Sequence, residues 1–296
     1  MSDPATNGRM SPKELFLHLR VHWQVLLSPL FLWGFLLSGG VIGPRFWAVF
    51  FIFHVLFYGG ATALNSYYDQ DEGPIGGLWN PPQVTRDLLI FSVAVQVIGL
   101  VLVLFISLPL FGLSLVMGGV GSAYSHPAIR LKSSPWTSLL AVSIFQGMGG
   151  TAAGWLCGQE DWTTLLSLKA ILGMLSAALI ITGFYPLTQI YQREQDRRQG
   201  DITFAVHWGE RCFPLGIVCM ISAAVLMGAL VWRYFGHQDA LVMSGGLIGL
   251  AGLITLWWQR FDDRHVRANY VRMMRLGYAM TGGFLSFIGW QLVRGP

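Results

Sequence analysis

The chain has 296 residues, of which 53% are hydrophobic and only 11% charged, with a net charge of +4 and a mean hydropathy of +0.53. A soluble domain is about one-quarter charged, so this composition excludes an ordinary soluble enzyme, and so small a positive balance gives no reason to invoke nucleic acid. The three cysteines, Cys157, Cys212 and Cys219, have no metal-ligand spacing and read as small buried hydrophobes.

The first 14 residues, MSDPATNGRMSPKE, are polar and predict a disordered tail (1–14) ahead of a single transmembrane domain (15–296). No cleavable signal is expected, because the first apolar run is followed directly by further ones. From Ser11, SPKELFLHLRVHW reads as an amphipathic helix lying partly at the membrane interface. Nine apolar stretches then follow at about 22–39, 46–65, 88–106, 108–124, 137–157, 168–190, 213–233, 240–259 and 274–293, each long enough to cross a bilayer as a helix. The third and fourth are separated only by Ser107-Leu108-Pro109. Continuous apolar runs argue against the alternating pattern of a membrane barrel. The 36 glycines suit helices that approach closely in lipid. The fold expected is all-α and polytopic: nine transmembrane helices around a central cavity that opens to the cytoplasmic side.

Orientation follows from the basic residues. With the N-terminus inside, the inner segments hold Arg9, Lys13, Arg20, Arg86, Arg130, Lys132, Arg193, Arg197, Arg198, Arg211, Arg260, Arg264, Arg267, Arg272 and Arg275. The outer segments hold only Arg45, Lys169, Arg233 and Arg294. The N-terminus and the polar inner loops are therefore assigned to the cytoplasm, the inner membrane being the one meant if the source is bacterial.

The chain's few acids gather on those inner loops. After the second span comes NSYYDQDEGP, where Asn65 and Asp69 are four apart and share a helical face, with Glu72 at the next turn. After the sixth comes YQREQDRRQGD, where Gln192 precedes Asp196 by four and Asp201 follows Gly200. Oxygen ligands at a helix end suit a hard cation, and Mg²⁺ is usually held by one or two carboxylates together with waters and substrate phosphates. Two such ends facing each other can clamp a diphosphate through Mg²⁺. Arg130 and Lys132, in AYSHPAIRLKSSP after the fourth span, can contact the same anion, and Arg20 is a further candidate for it. His54, alone in mid-span, reads as a satisfied interior histidine, whereas His126, inside the YSHP turn, is a candidate for function.

In this order and on these loops, the motifs resemble those of the UbiA superfamily of intramembrane prenyltransferases, from about residue 15 onward. That family carries N-x-x-x-D-x-x-x-D after its second helix and D-x-x-x-D after its sixth. Asn65 and Asp69 match the first two places of one motif and Asp196 the last place of the other; RRQGDITFAVHWG and YSHPAIRLK are also close to the family's wording. The resemblance implies a nine-helix bundle that binds Mg²⁺ and transfers an isoprenoid chain from a prenyl diphosphate to a lipophilic acceptor, aromatic, quinone-precursor or isoprenoid. It implies Asp69, Asp196 and Tyr124 as catalytic groups and Asn65, Asp69, Asp71, Gln192, Asp196 and Asp201 around the metal. Arg130, Lys132 and Arg20 fall to the diphosphate, and Tyr67, Tyr68, Tyr185 and His126 to the substrate pocket.

Two positions depart from the pattern: Gly73 and Gln192 stand where the family has acids. Asp71 and Asp201 are the candidates to substitute, although Asp71 lies about 200° round from Asp69 if the helix continues. The Gly73-Pro74 pair favours an earlier helix end. A UbiA-type terpene cyclase, which ionises the same donor without an external acceptor, is the alternative these departures leave open. A non-enzymatic carrier is a third reading, against which the spans show no paired interruptions of the transporter kind.

Overall fold

A computed structural model describes residues 9–70 and 73–294. Every regular element among them is helical, apart from an isolated bridge between Ile75 and Leu78. A helix satisfies its own backbone hydrogen bonds, which is the condition for crossing lipid. Among the described residues, eight segments are long and apolar enough to do so. The first, Pro12–Ser38, comprises α1 (Pro12–His18) and α2 (Val21–Ser38). The next five are α3 (Pro44–Asp69), α4 (Arg86–Ile106), α5 (Leu108–Ser125), α6 (Pro135–Gly158) and α7 (Leu168–Gln189). After the short α8 (Arg193–Gln199), the segment Phe204–Phe235 comprises α9 (Phe204–Trp208) and α10 (Cys212–Phe235), and α11 (His237–Gln259) is the eighth. The ninth expected span lies inside α12 (Val266–Arg294), a 29-residue helix outside that set of eight. Its arginines, its glycines and Gln291 dilute the apolar run.

The chain divides into two compact units: the described residues of Met1–Val25 with Ile42–Leu131, and Leu26–Val41 with the described residues of Lys132–Pro296. In the first, α1 starts where the sequence places it. Ser11 accepts from the Glu14 amide at 3.3 Å, Glu14 accepts from the Ser11 amide at 2.8 Å, and Pro12 occupies the first turn. Leu19 and Arg20 then break the helix, Arg20 at φ +48°. A small core of Met10, Leu19, Ala63, Leu88 and Val95 ties α1 to α3 and α4. At the α4–α5 corner, Ser107 caps the new helix through the Leu110 amide at 3.4 Å. Mid-way along α3, Ile52–Phe57 widens into a π-helical turn. There His54 bonds the Phe50 carbonyl through Nδ1 at 2.9 Å and stacks on the Phe50 ring, as an interior histidine does.

In the second unit, α2 and α6 cross with no side chain between them. A Cβ on Gly34 would overlap the Thr151 carbonyl, and one on Gly154 would overlap the Phe31 carbonyl. Small residues on both helices therefore set their separation. Trp33 donates through Nε1 to the Gly173 carbonyl and the Ser176 hydroxyl of α7, each at 3.3 Å. At the far end of the unit Trp257 donates to Asn269 Oδ1 at 3.1 Å, and Asn269 donates to the Asp262 carbonyl at 2.8 Å, which fixes the turn between α11 and α12.

Replacing Gly34 or Gly154 with Ala forces two backbones apart, a cost on the order of 1–3 kcal/mol. Thermal melts in detergent are expected to fall by several degrees for either variant. Gly245→Ala, where a new Cβ meets nothing within 4 Å, is the silent control.

Candidate functional site

In the first unit the candidate residues collect where α3 ends. The helix runs through Asp69 and stops at Gln70, which caps it in the left-handed conformation (φ +50°) with its amide on the Ser66 carbonyl at 3.0 Å. Asn65 and Asp69 thus share one face of a formed helix, and Asn65 Nδ2 donates to Asp69 Oδ2 at 2.8 Å. The other end of that carboxamide, Oδ1, accepts from Ser125 Oγ at 2.8 Å. Ser125 is the last residue of α5 and is 2% exposed. Sequence reasoning missed it, although it stands inside the YSHP turn already singled out.

The two tyrosines that follow Asn65 separate by role. Tyr67 packs against the core of Met10, Leu19, Ala63, Leu88 and Val95. Tyr68 meets the His126 ring edge-on at 5.3 Å. His126 accepts from the Ala128 amide through Nδ1 at 3.2 Å, and the Arg130 amide returns to the His126 carbonyl at 2.8 Å with Arg130 at φ +45°. This closed turn presents Arg130 immediately beyond Tyr124 and Ser125. Arg20 is buried, and its guanidinium donates to the Thr62 carbonyl at 3.0 Å and the Ser66 hydroxyl at 3.4 Å, bracing the last turns of α3.

The loop after α3 is strapped to the start of the chain. His22 Nε2 bonds the Gly77 carbonyl at 2.6 Å, His18 Nε2 bonds the Pro82 carbonyl at 3.1 Å, and Gly76 lies against the Trp23 indole. Asp71, expected near the metal, and the neighbouring Glu72 lie outside the described residues.

In the second unit, α8 forms a separate turn after α7. Its cap residue Gln192 engages Asp196 through the backbone, the Asp196 amide bonding the Gln192 carbonyl at 2.9 Å. Asp196 Oδ2 accepts from Thr203 Oγ1 at 2.9 Å. That same hydroxyl caps α9 by accepting from the Val206 amide at 3.4 Å. Thr203 was not singled out from sequence, though it lies in the quoted GDITFAV stretch. Gly200, at φ +79°, turns the chain so that the Asp201 amide bonds the Asp196 carbonyl at 2.9 Å. Asp201 then pairs with Lys132, Oδ2 to Nζ at 3.9 Å, with side chains only 5% and 9% exposed. Asp201, expected at the metal, and Lys132, expected at the diphosphate, thus form an ion pair with each other. Tyr185 accepts from Gln189 Nε2 at 2.8 Å in the last turn of α7, a pairing not anticipated from sequence.

Arg193 reaches Asp263 at 3.2 Å and so joins the start of α8 to the α11–α12 turn. Beside it, the Arg264 guanidinium and backbone amide hold the Asp262 carboxyl well below the usual range, to about 2.

Among the described residues no three His, Cys, Asp or Glu side chains converge as a metal site by themselves. Asp69 in the first unit, and Asp196 and Asp201 in the second, each offer the hard oxygen that Mg²⁺ takes, and Mg²⁺ coordination is ordinarily completed by water and substrate phosphate.

The buried Lys132–Asp201 pair yields a stability test. Asp201→Asn leaves a buried ammonium short of its counter-charge, a loss on the order of 3–5 kcal/mol, whereas replacing both members with apolar residues is often nearly neutral. Melting temperatures are expected to fall clearly for Asp201→Asn and to recover in Lys132→Met/Asp201→Leu.

The sequence model of the UbiA prenyltransferase family matches residues 27–288. No curated protein matches the chain by sequence. Among solved structures the chain is similar to a UbiA homologue of Archaeoglobus fulgidus bound to GPP and Mg²⁺, with a TM-score of 0.68 at 18% identity over 93% of this chain and 99% of that one. It is also similar to the apo UbiA homologue of Aeropyrum pernix K1, with a TM-score of 0.66 at 17% identity over 90% and 98%. A structure of digeranylgeranylglyceryl phosphate synthase gives 0.64 at 16% identity over 94% and 99%. At these identities the likeness is one of fold.

Proposed function

The chain belongs to the UbiA prenyltransferase family, and we propose that it moves an isoprenoid chain from a prenyl diphosphate to a lipophilic acceptor, releasing diphosphate. The observation that carries this reading is the pair of surviving motif carboxylates. Asp69 closes α3 and Asp196 lies within the short α8, each with Oδ2 held by a neutral donor, Asn65 in one case and Thr203 in the other. Support for the donor comes from the Archaeoglobus fulgidus homologues solved with GPP or DMAPP and Mg²⁺.

Asp69 and Asp196 would each serve as a ligand for Mg²⁺, with Asn65, Asp71 and Gln192 as further candidates from the same two motifs. When bound, the cation supplies Lewis-acid stabilisation to the departing diphosphate. Arg130 offers a guanidinium to the same anion, and Tyr124 a phenol beside it. Lys132 contributes its charge from the ion pair with Asp201, which sets the ammonium in place. Tyr68 and His126 form one edge-to-face aromatic surface, and Tyr185 presents a second ring from α7. Aromatic faces favour the allylic cation left when the diphosphate departs. The acceptor enters from the membrane phase, and the reaction lies on the cytoplasmic side, where the Lys and Arg distribution places these loops.

A terpene cyclase is the second reading, and it rests on Gly73 and Gln192, which stand in place of family acids. Purified protein with Mg²⁺ and a polyprenyl diphosphate is expected to release diphosphate, and Asp69→Asn or Asp196→Asn to lower the rate by ~100-fold or more. Full activity in both variants would refute the site. Incubation with donor alone separates the readings: a hydrocarbon or terpenol product identifies a cyclase, and dependence on an added acceptor identifies a transferase.

A further inference from the structure

We propose that Ser125 is a positioning residue for the first acid motif: its hydroxyl fixes the Asn65 carboxamide, and through it the Asp69 carboxylate. The proposal rests on the reading that Asp69 takes part in holding the metal–diphosphate.

The geometry is a directed chain of two short hydrogen bonds, Ser125 Oγ to Asn65 Oδ1 at 2.8 Å and Asn65 Nδ2 to Asp69 Oδ2 at 2.8 Å. Its direction follows from what each group can do. An ionised carboxylate only accepts, so it takes the NH₂ end of the amide, and the carbonyl end then requires a donor. Ser125 supplies one. Each bond polarises the next, so donation into the amide carbonyl strengthens the N–H donated to Asp69.

The choice of partner sets this serine apart from others near it. A serine in a helix commonly returns its hydroxyl to a backbone carbonyl three or four residues earlier. Ser92 does so to Leu89 at 2.9 Å, and Ser114 to Leu110 at 2.7 Å. Ser125 reaches across to another helix, 60 residues away in sequence, and is 2% exposed where it does so.

Without that hydroxyl the Asn65 amide is held at one end only and can turn about its last side-chain bond. The carboxylate would then lose a donor fixed in advance. Because His126 follows directly and meets Tyr68, the same contact joins the turn bearing Arg130 to the end of α3. Ser125 need not touch donor or metal to act in this way.

The test is a double-mutant cycle on the full-length protein in lipid nanodiscs, comparing Ser125→Ala, Asn65→Ala and the pair. Two readouts are taken: Mn²⁺ binding by electron paramagnetic resonance with a prenyl diphosphate present, and the Mg²⁺ dependence of diphosphate release. Ser125→Ala is expected to weaken metal binding about tenfold while changing kcat less, with a melting temperature near that of the parent protein. Once Asn65 is Ala, losing Ser125 is expected to add nothing further. Unchanged Mn²⁺ binding in Ser125→Ala, or fully additive effects, would overturn the proposal. Should Ser125→Ala not fold, Ser125→Cys keeps the volume with a weaker donor and is judged by the same two criteria. If the parent protein releases no diphosphate from any prenyl donor, the enzymatic reading fails, and the Mn²⁺ measurement still decides the role of Ser125.

Discussion

A buried or half-buried carboxylate is costly unless something donates to it or balances its charge, and five aspartates of the chain meet this constraint. Asp69 takes its donor from Asn65, Asp196 from Thr203, and Asp201 its counter-charge from Lys132. Asp87 accepts from the Met10 amide, and Asp239 faces Arg294. Asn65 and Thr203 are neutral donors, and a neutral donor orients a carboxylate without itself cancelling its charge.

The local backbone supports the same end. Left-handed residues at Gln70, Arg130 and Gly200 reverse the chain just beyond Asp69, the YSHP turn and Asp196. A non-glycine residue pays a penalty in this region, so two of the three reversals sit at a cost and are held by their surroundings. His126 closes the second of them onto Ala128 and Arg130. The loop after α3 is restrained differently, by two histidines from the first helices that bond its carbonyls. Backbone bonds close the reversals, and side chains reaching backbone carbonyls hold the longer loop.

Much of the fold was legible in the sequence because hydropathy acts on whole segments. The Ser11 start, the Ser107 corner and the apolar segments all follow from spacing and composition. The last helix was harder, since α12 mixes arginines, glycines and a buried Gln291 into one 29-residue helix. At the site, Asn65 and Asp69 were legible because four-residue spacing fixes a face. Ser125, Thr203 and Gln189 were not, because a hydroxyl or amide signals nothing until a partner from elsewhere in the chain lies beside it. Arg20 is a candidate for the diphosphate by sequence, but its bond to the Thr62 carbonyl is not legible there, because that partner lies 42 residues away. Tyr67 and Tyr68 look equivalent as letters, and only packing separates the core ring from the one that faces His126.

The early stop of α3 changes how the missing acid should be understood. Residues four and eight beyond Asn65 form a ladder only on a continuous helix. Here the rungs end at Asp69, because Gln70 reverses the backbone. Position 73 is therefore no longer a rung, and an aspartate written there would not stand in line with Asp69. Gly73 is less a gap in a motif than a residue outside its geometry, and restoring the family's letters at that one position would not restore three acids on one face.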